Sequence, residues 1–382
     1  MLFSQVFAKS KSWFAPNRVR TFLSKMEIEL IKEGLRIFLN RLKPYPTYKG
    51  DAEQICAQIV EKCWNGKYYQ TGAYTYPEFW TRDFGFCAES LVKLGHKQNV
   101  YKTLEYALSH FKEQNRIGTH ITQDGKVLDF PTYSVDSLPL LLHAIRVSGF
   151  NIKKYKIFIN EQIKYFYEYA FDHNKGIILP NKHFSSMKDY FVKNSSCYDN
   201  CMTYMLCEDI EKLKLDNPFN KKELKKNIEK YFWNGHYFNE DLTNAEICGD
   251  ANTFPFWCGV SNDKKKFESC LKYIQEEYLD FPVPLKYTKR NRFGQVKESI
   301  FVPFWEGNKL WMHLGLCYLD VVAKFDKKLC RDYLTIYKEI IEKYHNFLEV
   351  LEPSFKPYRS PFYKADHSML WACKYLALSK GI

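Results

Sequence analysis

The sequence lacks several features that would each assign it to a familiar class. No run of apolar residues approaches the about 18 needed to span a bilayer, so a membrane span is excluded. The N-terminal stretch carries basic residues but no apolar core of the kind found in secretory signals. We also find no glycine-rich phosphate loop, serine nucleophile elbow or histidine/glutamate pair at metal-ligand spacing. The sequence therefore predicts no membrane partner, and it contains no motif of a nucleotide-binding or metal-dependent enzyme.

Linkers and low-complexity stretches are absent as well. The 382 residues are 46% apolar and 17% aromatic, enough to bury a large core. We therefore predict one domain over 27–382, preceded by a basic leader or first helix over 1–26 that superficially resembles a transit peptide.

The twelve cysteines do not form a disulfide pattern. Half of them fall among apolar residues of helical segments, where a free thiol behaves as a small hydrophobe; these are Cys56, Cys63, Cys87, Cys201, Cys317 and Cys373. Cys197 and Cys201 have no second close pair, which argues against zinc. We predict free thiols, a reducing cytoplasmic location, no metal and no cofactor.

The charge balance is basic, with 56 Lys and Arg against 44 Asp and Glu and a net charge of +12. The lysines are spread over helix faces, and the densest run, 221–226, is interrupted by Glu223. This pattern is typical of solvated helix faces, so we do not predict a nucleic-acid partner.

Helical periodicity dominates the chain. It predicts twelve helices over 27–42, 51–64, 83–95, 97–113, 134–148, 152–171, 196–214, 220–232, 262–276, 308–324, 329–347 and 366–379. Short links within pairs and long, aromatic-rich links between pairs are what a ring of helical hairpins requires. The prediction is an all-α (α/α)₆ toroid with short β-hairpins in its long loops.

A short internal sequence repeat supports a ring of repeated units. The segment 64–69, Trp-Asn-Gly-Lys-Tyr-Tyr, recurs at 233–238 as Trp-Asn-Gly-His-Tyr-Phe, each time after a predicted helix. A looser third copy spans 171–178. We interpret each copy as a glycine turn that carries the chain across one face of the ring.

The segment 76–86 joins an aromatic loop to a predicted helix start. In one interpretation Asp83 is an ordinary N-cap and Trp80 is packing. In the other, aromatic faces beside Arg82 and Asp83 form a sugar-binding surface, because flat rings stack on C–H groups and charged groups bind hydroxyls.

Four stretches, in order, match the motifs of one known family. Residues 80–84, Trp-Thr-Arg-Asp-Phe, match a W-x-R-D segment, and 135–137, Val-Asp-Ser, match a V-D-S segment that opens a helix. Residues 183–190 followed by 196–202 match a loop and the polar helix start after it, and residues 347–353 are similar to F-x-E-x-x-x-P, before a closing helix at 368–372. Through these stretches the chain resembles the six-hairpin (α/α)₆ glycosidases, the group of trehalase, the debranching-enzyme glucosidase domain, mannosylglycerate hydrolase and the alkaline/neutral invertases.

The resemblance implies an inverting hydrolase with one carboxylic acid and one carboxylate base. Asp189 matches the general acid and Glu349 the general base. The substrate-binding residues that it implies, together with aromatic and polar residues of the long loops, are Trp80, Arg82, Asp83, Asp136, Tyr198, Asp199, Trp305, Glu306 and Trp311.

Two departures from the family pattern leave alternatives open. Met187 replaces the tryptophan of the family pattern. Lys188 would lower the pKa of the neighbouring Asp189 if the lysine side chain points into the site. Asp136 and Asp199 are the alternative acids. After Glu349 a Thr-Gly turn is missing, so Glu352 and Glu306 are alternative bases. Asp199 and Glu306 could also simply cap helices, and His183 and His313 fit ordinary loop or core positions.

The sequence thus predicts a hydrolase for an α-linked glucoside or small oligosaccharide. The alternatives are a non-catalytic carbohydrate-binding or scaffold protein on the same barrel, and another sugar enzyme such as an epimerase or phosphorylase.

Overall fold

The computed structural model describes residues 25–381. The chain divides into two compact units, Met1–Arg36 and Ile37–Ile382. In the first unit only the start of one helix lies within the described residues, so most of the predicted basic leader falls outside them. The second unit carries the ring.

Thirteen α-helices lie in the described part of the chain. They are α1 (Lys25–Arg41), α2 (Ala52–Cys63), α3 (Thr81–Lys93), α4 (Lys97–Glu113), α5 (Ser137–Ser148), α6 (Lys156–Ala170), α7 (Cys197–Leu213), α8 (Lys221–Phe232), α9 (Gly249–Trp257), α10 (Lys264–Glu276), α11 (Met312–Phe325), α12 (Lys327–Tyr344) and α13 (Ala372–Gly381).

The odd-numbered helices from α3 to α13 form an inner ring. Each packs against the next, and α13 closes the circle by packing against α3. The even-numbered helices alternate with them along the chain, and α2, α4, α8, α10 and α12 pack against inner helices. The architecture is the predicted (α/α)₆ toroid.

Burial distinguishes the two rings. Ten of the twelve residues of α5 are buried, so this inner helix is apolar around most of its circumference. In the outer helix α8 only Leu224, Ile228 and Phe232 are buried, at the four-residue spacing of a single helical stripe. Long lysine side chains on the remaining faces of the outer helices account for much of the positive charge.

The inner helices approach one another closely at Gly85. A Cβ at this position of α3 would lie 2.5 Å from the Leu140 Cβ and 2.8 Å from the Leu140 carbonyl oxygen of α5. Because part of this contact is backbone, a larger side chain could be accommodated only if the helices moved apart.

Seven two-residue strands lie in the described loops. They are β1 (Phe79–Trp80), β2 (His120–Ile121), β3 (Val127–Leu128), β4 (Phe171–Asp172), β5 (Ile177–Ile178), β6 (Leu310–Trp311) and β7 (Val350–Leu351). All pairs are antiparallel, in a β1-β2-β3 sheet and two two-stranded sheets, β4-β5 and β6-β7. The β6-β7 pair joins two loops that are distant in sequence, with Trp311 opposite Val350.

The three copies of the internal repeat, at 64–69, 171–178 and 233–238, form similar turns, as predicted. Asn65 Oδ1 accepts the backbone N–H groups of residues 67 and 68 at 2.9 Å, and Trp64 bridges Tyr69. Asn234 Oδ1 does the same for residues 236 and 237 at 2.9 and 3.0 Å, and Trp233 bridges Phe238. In the third copy Asp172 Oδ1 accepts two N–H groups at 3.0 Å within the β4-β5 hairpin.

The predicted helix set differs from the structure at one inner position. Helix α9 was not predicted, and the ring uses it in place of the segment 27–42 that completed the predicted pairs. Helix α9 has nine residues, contains Pro255 and is buried on all sides from Gly249 to Phe256, so it shows no amphipathic period. Helices α11 and α13 begin at 312 and 372 rather than 308 and 366, because the residues before them form site loops.

All twelve cysteines are free and buried, as predicted. Among residues 25–381, no helix is both long and apolar enough to cross a membrane.

Candidate functional site

The candidate site lies where the inner helices begin. Six long loops, 64–80, 114–136, 171–196, 233–248, 277–311 and 345–371, each lead into the first turn of an inner helix. Side chains from these first turns contact one another. Six helix N-termini, whose unpaired N–H groups and dipoles favour negative charge, therefore meet at one end of the ring.

Arg82, in the first turn of α3, connects two carboxylates. Its Nε donates to Asp136 Oδ2 at 2.7 Å, and its two terminal nitrogens donate to the two oxygens of Asp189 at 3.1 Å each. The Arg82 side chain is 13% exposed. Tyr198, at the start of α7, donates its hydroxyl to Asp136 Oδ2 at 2.9 Å, so three consecutive inner helices meet at this carboxylate.

The loop that carries Asp189 is fixed by short polar contacts. Asp189 Oδ1 also accepts the Ser185 hydroxyl and, at 3.1 Å, the Ser186 N–H. Glu306 accepts the backbone N–H groups of Asp189 and Tyr190 at 2.7 and 2.9 Å. Burial, followed by the charge of Asp189, raises the pKa of Glu306 to about 8. Glu306 therefore orients the Asp189 backbone and does not cap the following helix.

Glu349 lies in a second, buried pocket. Its Oε2 accepts the Tyr363 hydroxyl at 2.7 Å and the Asp366 N–H at 3.0 Å. Burial, followed by the charge of Asp366, raises the pKa of Glu349 to about 8. Burial also raises the pKa of Asp366 to about 7. Two neighbouring carboxyl groups thus titrate close to neutral pH, which is typical of functional sites.

Asp83 joins this pocket to the Arg82 cluster. It follows Arg82 in the first turn of α3, and its Oδ1 accepts the Trp371 indole N–H at 2.6 Å. The ring of His313, at the start of α11, lies 4.9 Å from the Trp371 ring. Burial raises the pKa of Asp83. The N-cap interpretation of Asp83 was wrong, because α3 begins two residues earlier with Trp80 in the N-cap position.

A run of contacts links Asp189 to Glu349. Glu306 accepts the Asp189 N–H, the ring of the adjacent Trp305 lies 4.9 Å from the Tyr363 ring, and the Tyr363 hydroxyl donates to Glu349. The pKa of the Tyr190 hydroxyl is raised by burial and then by the charges of Glu306, Asp189, Glu298 and Glu349.

The other predicted residues occupy the walls of this region. Trp80 is half-buried and stacks on His120 with ring centroids 4.5 Å apart. Trp305 and Trp311 are buried and pack edge to face at 4.7 Å, and Trp305 also packs against Tyr363 at 4.9 Å. The two tryptophans thereby support the donor to Glu349.

Asp199 and Glu352 occupy other environments. Asp199 is buried in the first turn of α7, but Ser196 is the N-cap and accepts the Asp199 N–H, so the capping interpretation was wrong. Burial raises the pKa of Asp199. Glu352 is half-buried and forms an ion pair with Lys309 at 2.7 Å.

The lysine next to Asp189 is directed elsewhere. Lys188 is 1% exposed and its ammonium group contacts Glu240 and, at 3.1 Å, Asp250, the latter at the start of α9. The charge of Lys188 is thus matched by two carboxylates, one of them at the start of α9, and not by Asp189.

Sequence reasoning missed three residues of this region: His313, Tyr363 and Asp366. His313 was interpreted as an ordinary core residue, but it lies between Trp311 and Trp371 at the start of α11. Its position two residues after the loop residue Trp311 was an available signal. Tyr363 and Asp366 carried none, because their contact with Glu349 depends on how the last long loop folds back.

Scans of protein-family models and of curated proteins find no match to the chain. Solved structures do match. A rhamnosidase from Klebsiella oxytoca with rhamnose bound aligns with a TM-score of 0.64 and 10% identity over 88% of this chain, which spans 65% of the rhamnosidase. A wild-type glycosidase aligns with a TM-score of 0.65 and 12% identity over 91% and 97% of the two chains.

A GH63 mannosylglycerate hydrolase from Thermus thermophilus, in complex with Tris and D-glycerate, aligns with a TM-score of 0.57 and 10% identity over 86% and 100% of the two chains. The chain therefore has the fold of the six-hairpin glycosidases, as its sequence motifs predicted. At these identities the comparisons establish the fold alone, because one fold can carry many different activities.

Proposed function

We propose that the protein is an inverting glycoside hydrolase that acts on an α-linked glucoside or small oligosaccharide. One observation carries the proposal: a short run of contacts links the carboxyl groups of Asp189 and Glu349, because Glu306 accepts the Asp189 N–H and the ring of the adjacent Trp305 packs against Tyr363, which donates to Glu349. Glycoside hydrolysis needs two carboxyl groups that flank one bond, and an inverting enzyme leaves room for a water between them. The glycosidase neighbours on the same fold support this choice.

In the proposed mechanism Asp189 gives its proton to the glycosidic oxygen as the C1–O bond breaks. Glu349 takes a proton from the water that forms the new C1–O bond on the opposite face of the sugar. Arg82 and Asp83 hold the sugar ring through its hydroxyls. Tyr363 and the Asp366 N–H fix Glu349 Oε2, so that the other oxygen is the one assigned to the water.

Substrate binding would have to change the pair of hydrogen bonds between Arg82 and Asp189. Both oxygens of Asp189 accept hydrogen bonds from Arg82. A proton donor needs one oxygen directed at the leaving group, so we propose that substrate hydroxyls take over one of these two bonds. Asp136 would keep Arg82 in place meanwhile, through the 2.7 Å contact to Nε.

The environments of the two candidate bases favour Glu349 over Glu352. Glu349 is 8% exposed and shares its pocket with Tyr363 and Asp366, whereas Glu352 is engaged by Lys309. The Lys309 ammonium group donates to Glu352 Oε2 at 2.7 Å, so this oxygen already has a partner other than a water molecule.

The test is proton NMR of the protein incubated with a panel of α-linked disaccharides. We expect the β-anomer of the released sugar to appear first from one substrate. Glu349→Gln should reduce turnover by about 10³-fold or more, and Asp189→Asn should have a comparable effect. Glu352→Gln is the matched control and should retain activity within a few fold. Full activity of Glu349→Gln with an intact fold would refute the assignment.

The double engagement of Asp189 by Arg82 specifically favours a second candidate, a non-catalytic carbohydrate-binding protein on the same barrel. In that case both oxygens of Asp189 would stay bound to Arg82, and neither would be directed at a leaving group. Saturable binding of a disaccharide by calorimetry, with no product after prolonged incubation, would identify this function.

A further inference from the structure

Lys193 is a buried lysine of the loop that carries Asp189, and the proposed mechanism does not use it. It is 6% exposed, and its ammonium group donates to the Ser186 hydroxyl and to the Lys188 carbonyl. Within residues 25–381 no carboxylate lies within 4.0 Å of this ammonium group, although most buried charges in proteins are paired. Its hydrogen bonds are therefore made to the Asp189 loop itself and not to a counter-ion.

The peptide bond between Lys188 and Asp189 is held at both ends. Its carbonyl oxygen accepts a hydrogen bond from Lys193, and its N–H group donates to Glu306 Oε1 at 2.7 Å. A peptide unit has a dipole with its negative end at the oxygen and its positive end at the N–H group. An ammonium group at the first end and a carboxyl group at the second both stabilise one orientation of this peptide unit, and that orientation fixes the backbone of Asp189.

The contact with Ser186 connects Lys193 to the side chain of Asp189 as well. The Ser186 hydroxyl accepts from Lys193, and the Ser186 backbone N–H donates to Asp189 Oδ1 at 3.1 Å. Lys193 thus contacts both a residue that binds the Asp189 carboxyl group and the peptide bond that precedes Asp189. One ammonium group therefore fixes the backbone and the side chain of the candidate acid together.

The charge of Lys193 also acts on buried carboxyl groups around the loop. Burial and then the charge of Asp189 raise the pKa of Glu306 to about 8, and the charge of Lys193 opposes this shift. Burial raises the pKa of Asp199, and the charge of Lys193 opposes that shift too. Loss of the ammonium group would leave Glu306 more fully protonated at neutral pH, and a neutral carboxyl group binds the Asp189 N–H less strongly than a charged one.

We propose that Lys193 is the positioning residue of the candidate general acid, and that it holds the segment 186–190 so that the Asp189 carboxyl group keeps its place in the site. The role of Asp189 as acid rests on the proposed function, whereas the hold of Lys193 on the segment does not. Lys188, the other buried lysine of this segment, differs because its charge is matched by Glu240 and Asp250.

The experiment compares Lys193→Met with the wild type by hydrogen–deuterium exchange of the full chain and by steady-state kinetics. The backbone N–H groups of Ser186, Asp189 and Tyr190 donate to side chains that the fixed segment keeps within reach. Exchange in a peptide covering 184–192 should therefore accelerate at least about tenfold in Lys193→Met. Exchange in helix α5 should stay unchanged, which excludes global unfolding as the cause.

The kinetic readout separates positioning from a purely structural role. With the substrate identified by NMR, kcat of Lys193→Met should fall about 10- to 100-fold while KM changes less than about threefold, because a misplaced acid affects the transition state more than substrate binding. A lysine that only stabilises the fold would lower Tm without this difference between kcat and KM. Lys182→Met is the matched control: its ammonium group contacts the Tyr169 carbonyl, and its loss should leave exchange and kcat unchanged.

Wild-type exchange of the segment in Lys193→Met, or a kcat equal to that of the wild type, would overturn the proposal. If Lys193→Met does not fold, Ser186→Ala decides, because it removes one acceptor of the ammonium group with little loss of packing. It should accelerate the same exchange at least about threefold, and unchanged exchange would overturn the proposal. If the wild type hydrolyses no substrate, the proposed function fails, and the exchange result still decides whether Lys193 holds the segment.

Discussion

The charge state of Glu349 allows its proposed role to be tested by pH. Burial and the charge of Asp366 raise its pKa to about 8. A general base acts in its ionised form, so kcat/KM should rise with pH, with a midpoint near 8, and below that pH it should fall about tenfold per pH unit. A general acid at the same position would give the opposite slope.

Two substitutions should move this midpoint in opposite directions. Tyr363→Phe removes a hydrogen bond to Glu349 Oε2 that lowers the pKa. A hydrogen bond to a charged group contributes about 1.5–3 kcal/mol, and 1.36 kcal/mol corresponds to one pH unit, so the midpoint should rise by about one to two pH units. Asp366→Asn removes the neighbouring charge that raises the pKa, so the midpoint should fall.

The assay is the pH dependence of kcat/KM for the wild type and both variants, with the substrate identified by NMR. Circular dichroism at each pH would exclude unfolding as the cause of a change. Activity that falls through pH 8 in the wild type, or midpoints that move in the same direction in both variants, would refute the assignment of Glu349 as base.

Three further predictions concern stability and packing. Glu349→Gln should raise Tm at pH 8 and have little effect on Tm near pH 5. Because the Glu349 carboxyl has a raised pKa in the folded protein, the folded wild type binds more protons than the unfolded chain and loses stability as the pH rises from about 4.5 to about 8. An equal shift of Tm at both pH values would contradict this. Gly85→Ala should destabilise the fold by about 1–3 kcal/mol in urea unfolding, whereas Ser90→Ala in the same helix should cost less than about 1 kcal/mol. A thiol reagent should label none of the twelve cysteines in native protein and all of them in denaturant, and rapid labelling without denaturant would show that some are accessible.

The extent to which the fold was predictable depended on which helix faces were exposed. The outer helix α8 has a single apolar stripe and was predicted to within one residue. Helix α9 was missed because its side chains are buried in every direction and Pro255 interrupts its pattern. A helix surrounded by protein carries no periodic signal, whatever its importance to the ring.

The candidate site was predictable where motifs lie in helix first turns. Arg82 and Asp83 were found because a W-x-R-D segment precedes a helix, and the structure places them between the two carboxyl clusters. Tyr363 and Asp366 were missed because they come from a loop whose folding back onto Glu349 depends on long-range contacts. A local sequence motif can identify site residues in the first turn of a helix. It does not identify site residues whose position depends on how a long loop folds.

The convergence of six helix starts has a consequence for how such a protein could be modified. Each long loop is anchored at both ends by helices that pack in the ring, and it delivers its side chains without passing through the core. The loops also hold one another: Glu306 of loop 277–311 accepts the backbone N–H groups of Asp189 and Tyr190 in loop 171–196, and β6 of the same loop pairs with β7 of loop 345–371. Exchange of one loop for another of different length would therefore leave the ring of helices in place, but the contacts of that loop with its neighbouring loops would have to be rebuilt.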